Sequence, residues 1–352
     1  MMSLTASHFV SRSHIALTFT ALAAIILGAS SAAIAAEEVN VYSYREPILI
    51  EPLIKAFTEK TGIKVNQIYA KDGLVERMAA EGKNSPADVL LTNESSLLAQ
   101  AHSAGVTQPI QSDAVNKAVP AELREPGGHW FALSRRARVV YASKDRVKQD
   151  AITYEELADP KWKGKICTRS GQHNYNVALT ASMLAHNGEE KTIAWLNGVK
   201  ANLARKPAGG DREAVRDVHA GLCDLAIGNT YYMAAMLKSP EQKAWADAVK
   251  ILFPNAGGRG THVNISGMAL AANAPHKANA QTLMEYLVSI EAQKIYAETI
   301  NEYPAVPGVA QSDLVKSWGE LKPDSLPLQK IIELKKRASE LIDQVRFDAG
   351  AE

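Results

Sequence analysis

Short apolar runs alternate along the chain with segments in which apolar residues recur every three or four positions. Val39-Asn40-Val41-Tyr42 predicts a strand. Leu49, Ile50, Leu53, Ile54 and Phe57 come next at helical spacing, and Gly62 is a suitable stop for that helix. Ile63 to Ala70 predicts a second strand, Leu74 to Ala80 a second helix, and Ala87-Asp88-Val89-Leu90-Leu91 a third strand apolar enough to be buried on both faces. This β-α-β-α-β order belongs to an α/β sheet with helices on its faces.

A longer strand falls within Trp130 to Ser143, including Arg138-Val139-Val140-Tyr141, and a second α/β block comes after it. That block reads as a strand at Lys165-Ile166-Cys167, helices over Tyr175–His186 and Lys191–Leu203, and a strand over Cys223–Ile227 that leads to a helix opening near Tyr231. Strands are predicted again at Lys250–Phe253, ending at Pro254, and at Asn264–Ala272. The chain reads as helical from Lys277 to Ile300, with a largely helical tail. No internal repeat or low-complexity segment interrupts the pattern. Two α/β blocks of similar size predict two lobes around a cleft, because ligands of such sheets bind beyond the strand ends. The crossings between lobes fall near Ser134–Tyr141 and Gly260–Ile265, and closure about them is the expected working motion.

Composition narrows the function classes. The 352 residues are 46% hydrophobic and 22% charged, which excludes long disorder and leaves room for two cores. Lys plus Arg number 39 against 38 Asp plus Glu, so no global field exists to hold nucleic acid or an anionic membrane. Residues 1–35 read as a cleaved secretory signal: Arg12 is the only formal charge before Glu37, an apolar run from Ile15 to about Gly28 is too short to span a bilayer comfortably, and Ala33-Ile34-Ala35 is a cleavage pattern. The expectation is a free, soluble protein cut before Ala36 and exported, most simply to a periplasm; the alternative is an uncleaved anchor. With only Cys167 and Cys223, cysteine-rich zinc sites and iron–sulfur clusters are excluded. In an oxidising compartment the two can pair, which in the chain-entropy model contributes about 4 kcal/mol, or they remain two buried thiols.

Motifs for nucleophilic catalysis, for zinc proteases and for nucleotide phosphates are missing, and the nine histidines are scattered. An enzyme is therefore not expected. Tyrosines are more informative. Tyr231-Tyr232 come directly after Gly228-Asn229-Thr230 at a strand-to-helix junction; Tyr175 ends the polar loop Arg169-Ser170-Gly171-Gln172-His173-Asn174; Tyr44 stands beside Arg45 after the first strand. On spacing alone these are ordinary amphipathic packing residues.

The stretches VNVYSYREPILIEPLIKAF, SPADVLLT, RARVVY, YEELADPKWKGKICTRSGQHNYNVAL, KANLARKPAGGDREAV, CDLAIGNTYY and THVNISGMALA change that reading. Over essentially the whole mature chain the sequence resembles the periplasmic ferric-iron-binding proteins of bacterial ABC importers, with SGQHNYNV and GNTYY specific to the iron-binding branch. The resemblance implies an α/β two-lobed periplasmic-binding-protein fold, with lobe 1 from 36–135 and 264–310, lobe 2 from 136–263, and 311–352 as a helical segment packing on both. It implies Tyr175, Tyr231 and Tyr232 as Fe(III) ligands and an inner-membrane ABC permease as partner to a monomer. Hard oxygen donors suit a hard cation. A phenol titrates near 10, so ionising one at neutral pH costs about 4 kcal/mol and three roughly 12 kcal/mol, which a strongly Lewis-acidic ion must offset.

Three phenolates do not fill an octahedral shell. Some relatives add a histidine and a carboxylate from the first lobe; here Tyr44-Arg45 stands where such a histidine would be sought, so none is assigned. Others add a small anion such as carbonate. Arg45, Arg136, Arg138, Ser170 and Asn174 are the groups that would hold one or support the ligands, with structural salt bridges as the alternative for the arginines. Tyr44 is a candidate fourth ligand. The competing function is capture of a small organic cation or an oxyanion in the same cleft.

Overall fold

In the computed structural model, which describes residues 37–351, the chain opens with β1 (Glu38–Ser43), α1 (Pro47–Thr61), β2 (Lys64–Tyr69), α2 (Leu74–Glu81), β3 (Val89–Thr92), α3 (Ser95–Ser103), β4 (Thr107–Gln108) and α4 (Asp113–Ala118). The long strand β5 (Phe131–Ser143) is next, then β6 (Ile166–Cys167), α5 (Asn174–Ala201), α6 (Asp211–His219), β7 (Leu225–Asn229), α7 (Tyr231–Lys238), α8 (Lys243–Asp247) and β8 (Val249–Leu252). The remainder is β9 (Val263–Ala271), α9 (Lys277–Leu287), α10 (Ile290–Ile295), β10 (Tyr303–Pro304), α11 (Asp313–Lys316) and α12 (Leu328–Gln344). The signal expected over 1–35 lies outside the described residues.

Local chemistry accounts for the ends of these elements. Pro47 opens α1, where a missing N–H costs no hydrogen bond, and Gly62 closes it in the left-handed region at φ 76°. Strands run in the order β2-β1-β3-β9-β5-β7-β6, with β4 added on β9, and β8 and β10 on β5. The first three are parallel, as βαβ crossovers require, and β9 joins them antiparallel.

The architecture is mixed α/β in two lobes, and β5 is the piece they share. Its first half pairs with β9 through Ala137↔Val263. Its second half pairs with β7 from Arg138↔Asn229 and with β8 from Val140↔Leu252. The partner changes between Ala137 and Arg138, inside the crossing predicted near Ser134–Tyr141. Both faces of β5 are buried: Val140 and Ala142 enter the large apolar core, whereas Ala137, Val139 and Tyr141 enter a second cluster with Cys167, Met236 and Phe253. Cys167 and Cys223 form a disulfide at the base of β6 and β7, with Cα atoms 5.9 Å apart.

The two helices expected over 175–203 are present within α5, separated at Gly188, whose φ of 75° no helix accommodates, but other elements depart from expectation. The helix expected from Lys277 to Ile300 divides into α9, α10 and a π-turn over Tyr296–Ile300. The tail is less helical than its composition indicates, with no regular element between Lys316 and Leu328 except an isolated bridge of Pro323 to Thr261. No described helix is long and apolar enough to cross a membrane.

The C-terminal α12 packs along α5 and also touches α3. There Lys335 Nζ lies 3.0 Å from an oxygen of Glu94, which is 1% exposed. The same carboxylate accepts from the Ser96 N–H at 2.9 Å and from Asn264 Nδ2 at 2.7 Å. Burial alone would raise the Glu94 pKa; the Lys335 charge and the hydrogen bonds outweigh it and hold it below the ordinary value. Such a group stabilises the fold above its unfolded pKa and loses that contribution as pH falls through the folded one. Lys335→Met should therefore cost about 3 kcal/mol at neutral pH by stranding a buried charge. The gap between variant and parent should narrow as acid protonates Glu94, and denaturant unfolding at neutral and acidic pH checks this; a gap independent of pH would contradict it.

Candidate metal centre

Two parallel neighbours, β6 and β7, end side by side, and the residues just past each strand end decide the site. After β6 a polar loop runs to His173, whose Nδ1 accepts the Tyr175 N–H at 3.2 Å and so caps α5. After β7 only Thr230 intervenes before α7 begins with Tyr231-Tyr232. Because the strands pair Cys167↔Ala226, the two junctions meet. The hydroxyls of Tyr175 and Tyr231 lie 3.4 Å apart, and the rings of Tyr231 and Tyr232 are tilted by 37° with centroids 4.2 Å apart.

Guanidinium groups surround the Tyr175 ring. Those of Arg136, Arg138 and Arg169 stand 5.3, 5.8 and 5.3 Å from its centroid. Asp211, at the start of α6, fixes two of them: its carboxylate is 2.5 Å from Arg138 and 3.5 Å from Arg169. It also accepts the Asn229 N–H at 3.0 Å. Asn176 accepts from the other arm of Arg138 at 2.7 Å.

Tyr231 and Tyr232 are held neutral. Burial, with the neighbouring Tyr175 and Tyr232 phenols, pushes Tyr231 well above its ordinary value. Burial, Tyr175 and the Asp211 charge push Tyr232 up to about 12. His173 is driven the other way, to about 4, by burial and by Arg169. Among the described residues no three His, Cys, Asp or Glu side chains are placed to hold a metal. Any ion here must take hard phenolate oxygens, and only a cation acidic enough to displace phenol protons fits that set.

The structure brings together Tyr175, Tyr231, Tyr232, Arg136 and Arg138. Tyr44 and Asn174 share with His173 and Tyr175 an adjoining cavity of about 200 Å³. The Tyr44 hydroxyl accepts the Val75 N–H at 2.9 Å, and burial raises its pKa. Two expected anion-binding groups have other partners. Arg45 donates to Glu302 at 2.8 Å and to Ser266 at 2.7 Å. Ser170 donates to Asp348 at 2.5 Å, and the Gly171 N–H donates to the same carboxylate at 2.6 Å. Asp211, Arg169 and Glu302 were not singled out from the sequence as site residues. For Asp211 a signal existed: Gly209-Gly210 before Asp211 and Glu213 marks a helix start, and the Gly210 N–H donates to Glu213 at 2.9 Å.

The family model for bacterial extracellular solute-binding protein matches residues 52–323. "Iron uptake protein A1" of Synechocystis is 46% identical over 299 residues, 84% of this chain and 83% of that protein. Bordetella ferric binding protein superposes with a TM-score of 0.83 at 54% identity, covering 89% of this chain and 100% of that one. A Trichodesmium protein solved with iron and citrate ligands superposes with a TM-score of 0.84 at 44% identity, covering 88% and 99%.

An ultraviolet titration of the metal-free protein tests the electrostatics. Tyr232, assigned by its loss in Tyr232→Phe, should ionise near about 12. Asp211→Asn removes a negative charge and frees Arg169, so this phenol should then ionise at lower pH. An unchanged or higher Tyr232 pKa in the folded variant would contradict the assignment of causes.

Proposed function

Because the chain belongs to the bacterial extracellular solute-binding protein family, we propose that it captures Fe(III) outside the cytoplasm and hands it to an inner-membrane ABC permease. The observation that carries this reading is the convergence of three phenols, with the Tyr175 and Tyr231 hydroxyls 3.4 Å apart, where no cluster of described His, Cys, Asp or Glu residues competes. Tyr175, Tyr231 and Tyr232 are the proposed ligands. Three phenolates balance a 3+ charge, and the arginines stand against the Tyr175 ring. An organic cation meets the same guanidiniums but lacks the Lewis acidity to displace phenol protons, which weighs against the organic-cation half of the competing reading.

In the proposed cycle, iron meets the second lobe first, since all three phenols lie just past β6 and β7, at the starts of α5 and α7. The first lobe then closes over it through bending of β5 and β9, bringing Tyr44 and its cavity wall toward the ion. Closure would present one surface to the permease and reopening would release the cargo. A small anion such as carbonate, or a chelator's carboxylate, fills the coordination sites the phenols leave open.

Titration with chelator-buffered Fe(III) should give a stoichiometric phenolate-to-iron charge-transfer colour. Outer-shell changes in metal sites cost about 10–100-fold in affinity, so Tyr→Phe at Tyr175, Tyr231 or Tyr232 should cost at least that and shift the band. Displacing three protons makes affinity climb by about a thousandfold per pH unit below the phenol pKa values. Colourless protein whose melting temperature ignores iron would refute the reading.

A second prediction concerns the disulfide. Cys167→Ala with Cys223→Ala leaves β6 and β7 joined through two residue pairs, Ile166↔Leu225 and Cys167↔Ala226 in the parent chain. Stability should fall by about 2–4 kcal/mol. Iron affinity should fall as well, because Tyr175 and Tyr231 stand just past the two strands that the bond ties; equal iron affinity in the folded variant would separate the disulfide from the site.

A further inference from the structure

Helix α3 of the first lobe stands between two walls that belong to the second. Leu98 and Ala101, wholly buried, seat it on its own sheet against β9. With about 3.6 residues per turn, Leu97 and Gln100 then fall on one flank of α3 and Ala99 and Ser103 on the other. Leu97 and Gln100 line the cavity shared with His173 and Tyr175, where α5 opens. Ala99 and Ser103 line a different cavity, of about 480 Å³, whose opposite wall is Leu328 and Ile332 in the first turns of α12.

α12 travels with the second lobe. Asp324, just before it, is bonded to His186 Nε2 at 2.7 Å. Farther along, Arg337 Nε donates to Glu189 at 3.0 Å, and Gln172 Nε2 donates to the Ser339 carbonyl at 2.9 Å. These partners all lie in α5 or in the loop before it. Lys335 ties α12 to the first lobe, through Glu94 at 3.0 Å and Ser96 Oγ at 2.7 Å. Glu94 also accepts from Asn264 on the crossing strand β9, so this tie sits beside the hinge. From Lys335 back to Leu328 α12 runs about 10 Å, and over that length the tie gives way to the cavity. The two helices are joined at one end and stand apart at the other.

We propose that the first turns of α12 are the stop that limits how far the lobes open. The proposal rests on the lobe motion of the cycle proposed above and is indifferent to the cargo. Both walls that face α3 move as one body, so approach to one is withdrawal from the other. As the cleft closes, α3 moves toward His173 and Tyr175, and the cavity behind it widens. As the cleft opens, α3 swings about the Lys335–Glu94 tie toward α12, until Ala99 and Ser103 meet Leu328 and Ile332. Glu122 and Arg124 at the cavity's edge let water leave as the volume falls. Once the side chains are in contact they pack to a density that resists further compression, and the motion ends there. The small side chains at Ala99 and Ser103 set the distance travelled before contact.

Small-angle X-ray scattering of the metal-free protein tests this. Ala99→Trp fills the cavity, so its radius of gyration should fall below the parent's. Ile332→Ala withdraws the stop, and the radius should rise above the parent's. Transfer of bound Fe(III) to a competing chelator should slow in the first variant and quicken in the second, with the charge-transfer band unmoved in both, because neither side chain touches the phenols. Folded variants whose metal-free radii equal the parent's overturn the proposal, and so does a parent that colours with iron yet keeps its radius. A parent that never colours refutes the iron reading alone; the ordering of the three metal-free radii still decides the stop. Should Ala99→Trp fail to fold, Ser103→Trp, at an exposed position on the same flank, makes the same test.

Discussion

The ion pair between Asp211 and Arg138, 2.5 Å long and almost wholly buried, is the contact on which the site depends. In the proposed function, phenols that give up their protons to a cation need positive charge close by that cannot drift onto the cation's position. A guanidinium meets that need only when held. Asp211 holds Arg138 and Arg169 together, and through the Asn229 N–H it fixes the end of β7 as well. Four elements thus meet at one carboxylate: β5, β7, α6 and the loop before α5. A buried ion pair adds little net stability, since desolvation consumes most of its attraction. Its contribution is positional: it sets where Tyr175 can lie relative to Tyr231.

The same strand carries the bend that the proposed opening requires. Through Ala137, β5 is hydrogen bonded to β9, and from Arg138 onward to β7 and β8. Arg136 and Arg138 therefore flank the exchange of partners. A bend there moves one lobe against the other without breaking either ladder. It also changes the surroundings of both arginines, and through them the electrostatics at Tyr175. In the proposed cycle the hinge and the metal site would be coupled, because Arg136 and Arg138 lie on one face of the strand that crosses between them.

Much of this was legible in the sequence, and the rest stayed hidden for a physical reason. Periodicity located most strands to within a residue or two, because β1, β3, β7 and β9 are largely buried on both faces and read as apolar runs. The crossing near Ser134–Tyr141 was legible because β5 is too long for a single sheet position. The phenols were not legible from spacing alone: Tyr231-Tyr232 at a strand end resembles packing, and only the longer stretches SGQHNYNV and GNTYY gave them a role. Asp211 escaped because its meaning is tertiary. It lies in a short amphipathic helix whose first residue reads as a routine acidic N-terminus, while its partners Arg138 and Asn229 stand far away in the chain. The break at Gly188 was legible, because the two helices read over Tyr175–His186 and Lys191–Leu203 leave it between them.

The tail adds a constraint that narrows where anions can act. The loop before α5 is shaped like an anion cradle, with Ser170 and the Gly171 N–H pointing to one place. Asp348, just beyond α12, already fills it. Gln172 is held from the same direction by Asp343 at 2.7 Å and by the Ser339 carbonyl at 2.9 Å. The C-terminal segment thus fixes the loop that carries Tyr175 and uses up its donors. Arg45 gives one Nη to Glu302 and Ser266, while its Nε and other Nη keep no partner. An external anion that needs strong donors finds most of the candidate groups engaged by the chain's own carboxylates. The donors left without partners belong to Arg45, Arg136, Arg138 and Arg169, so the electrostatics left open by the fold lie mostly on side chains at and beside β5 rather than where the loop cradles.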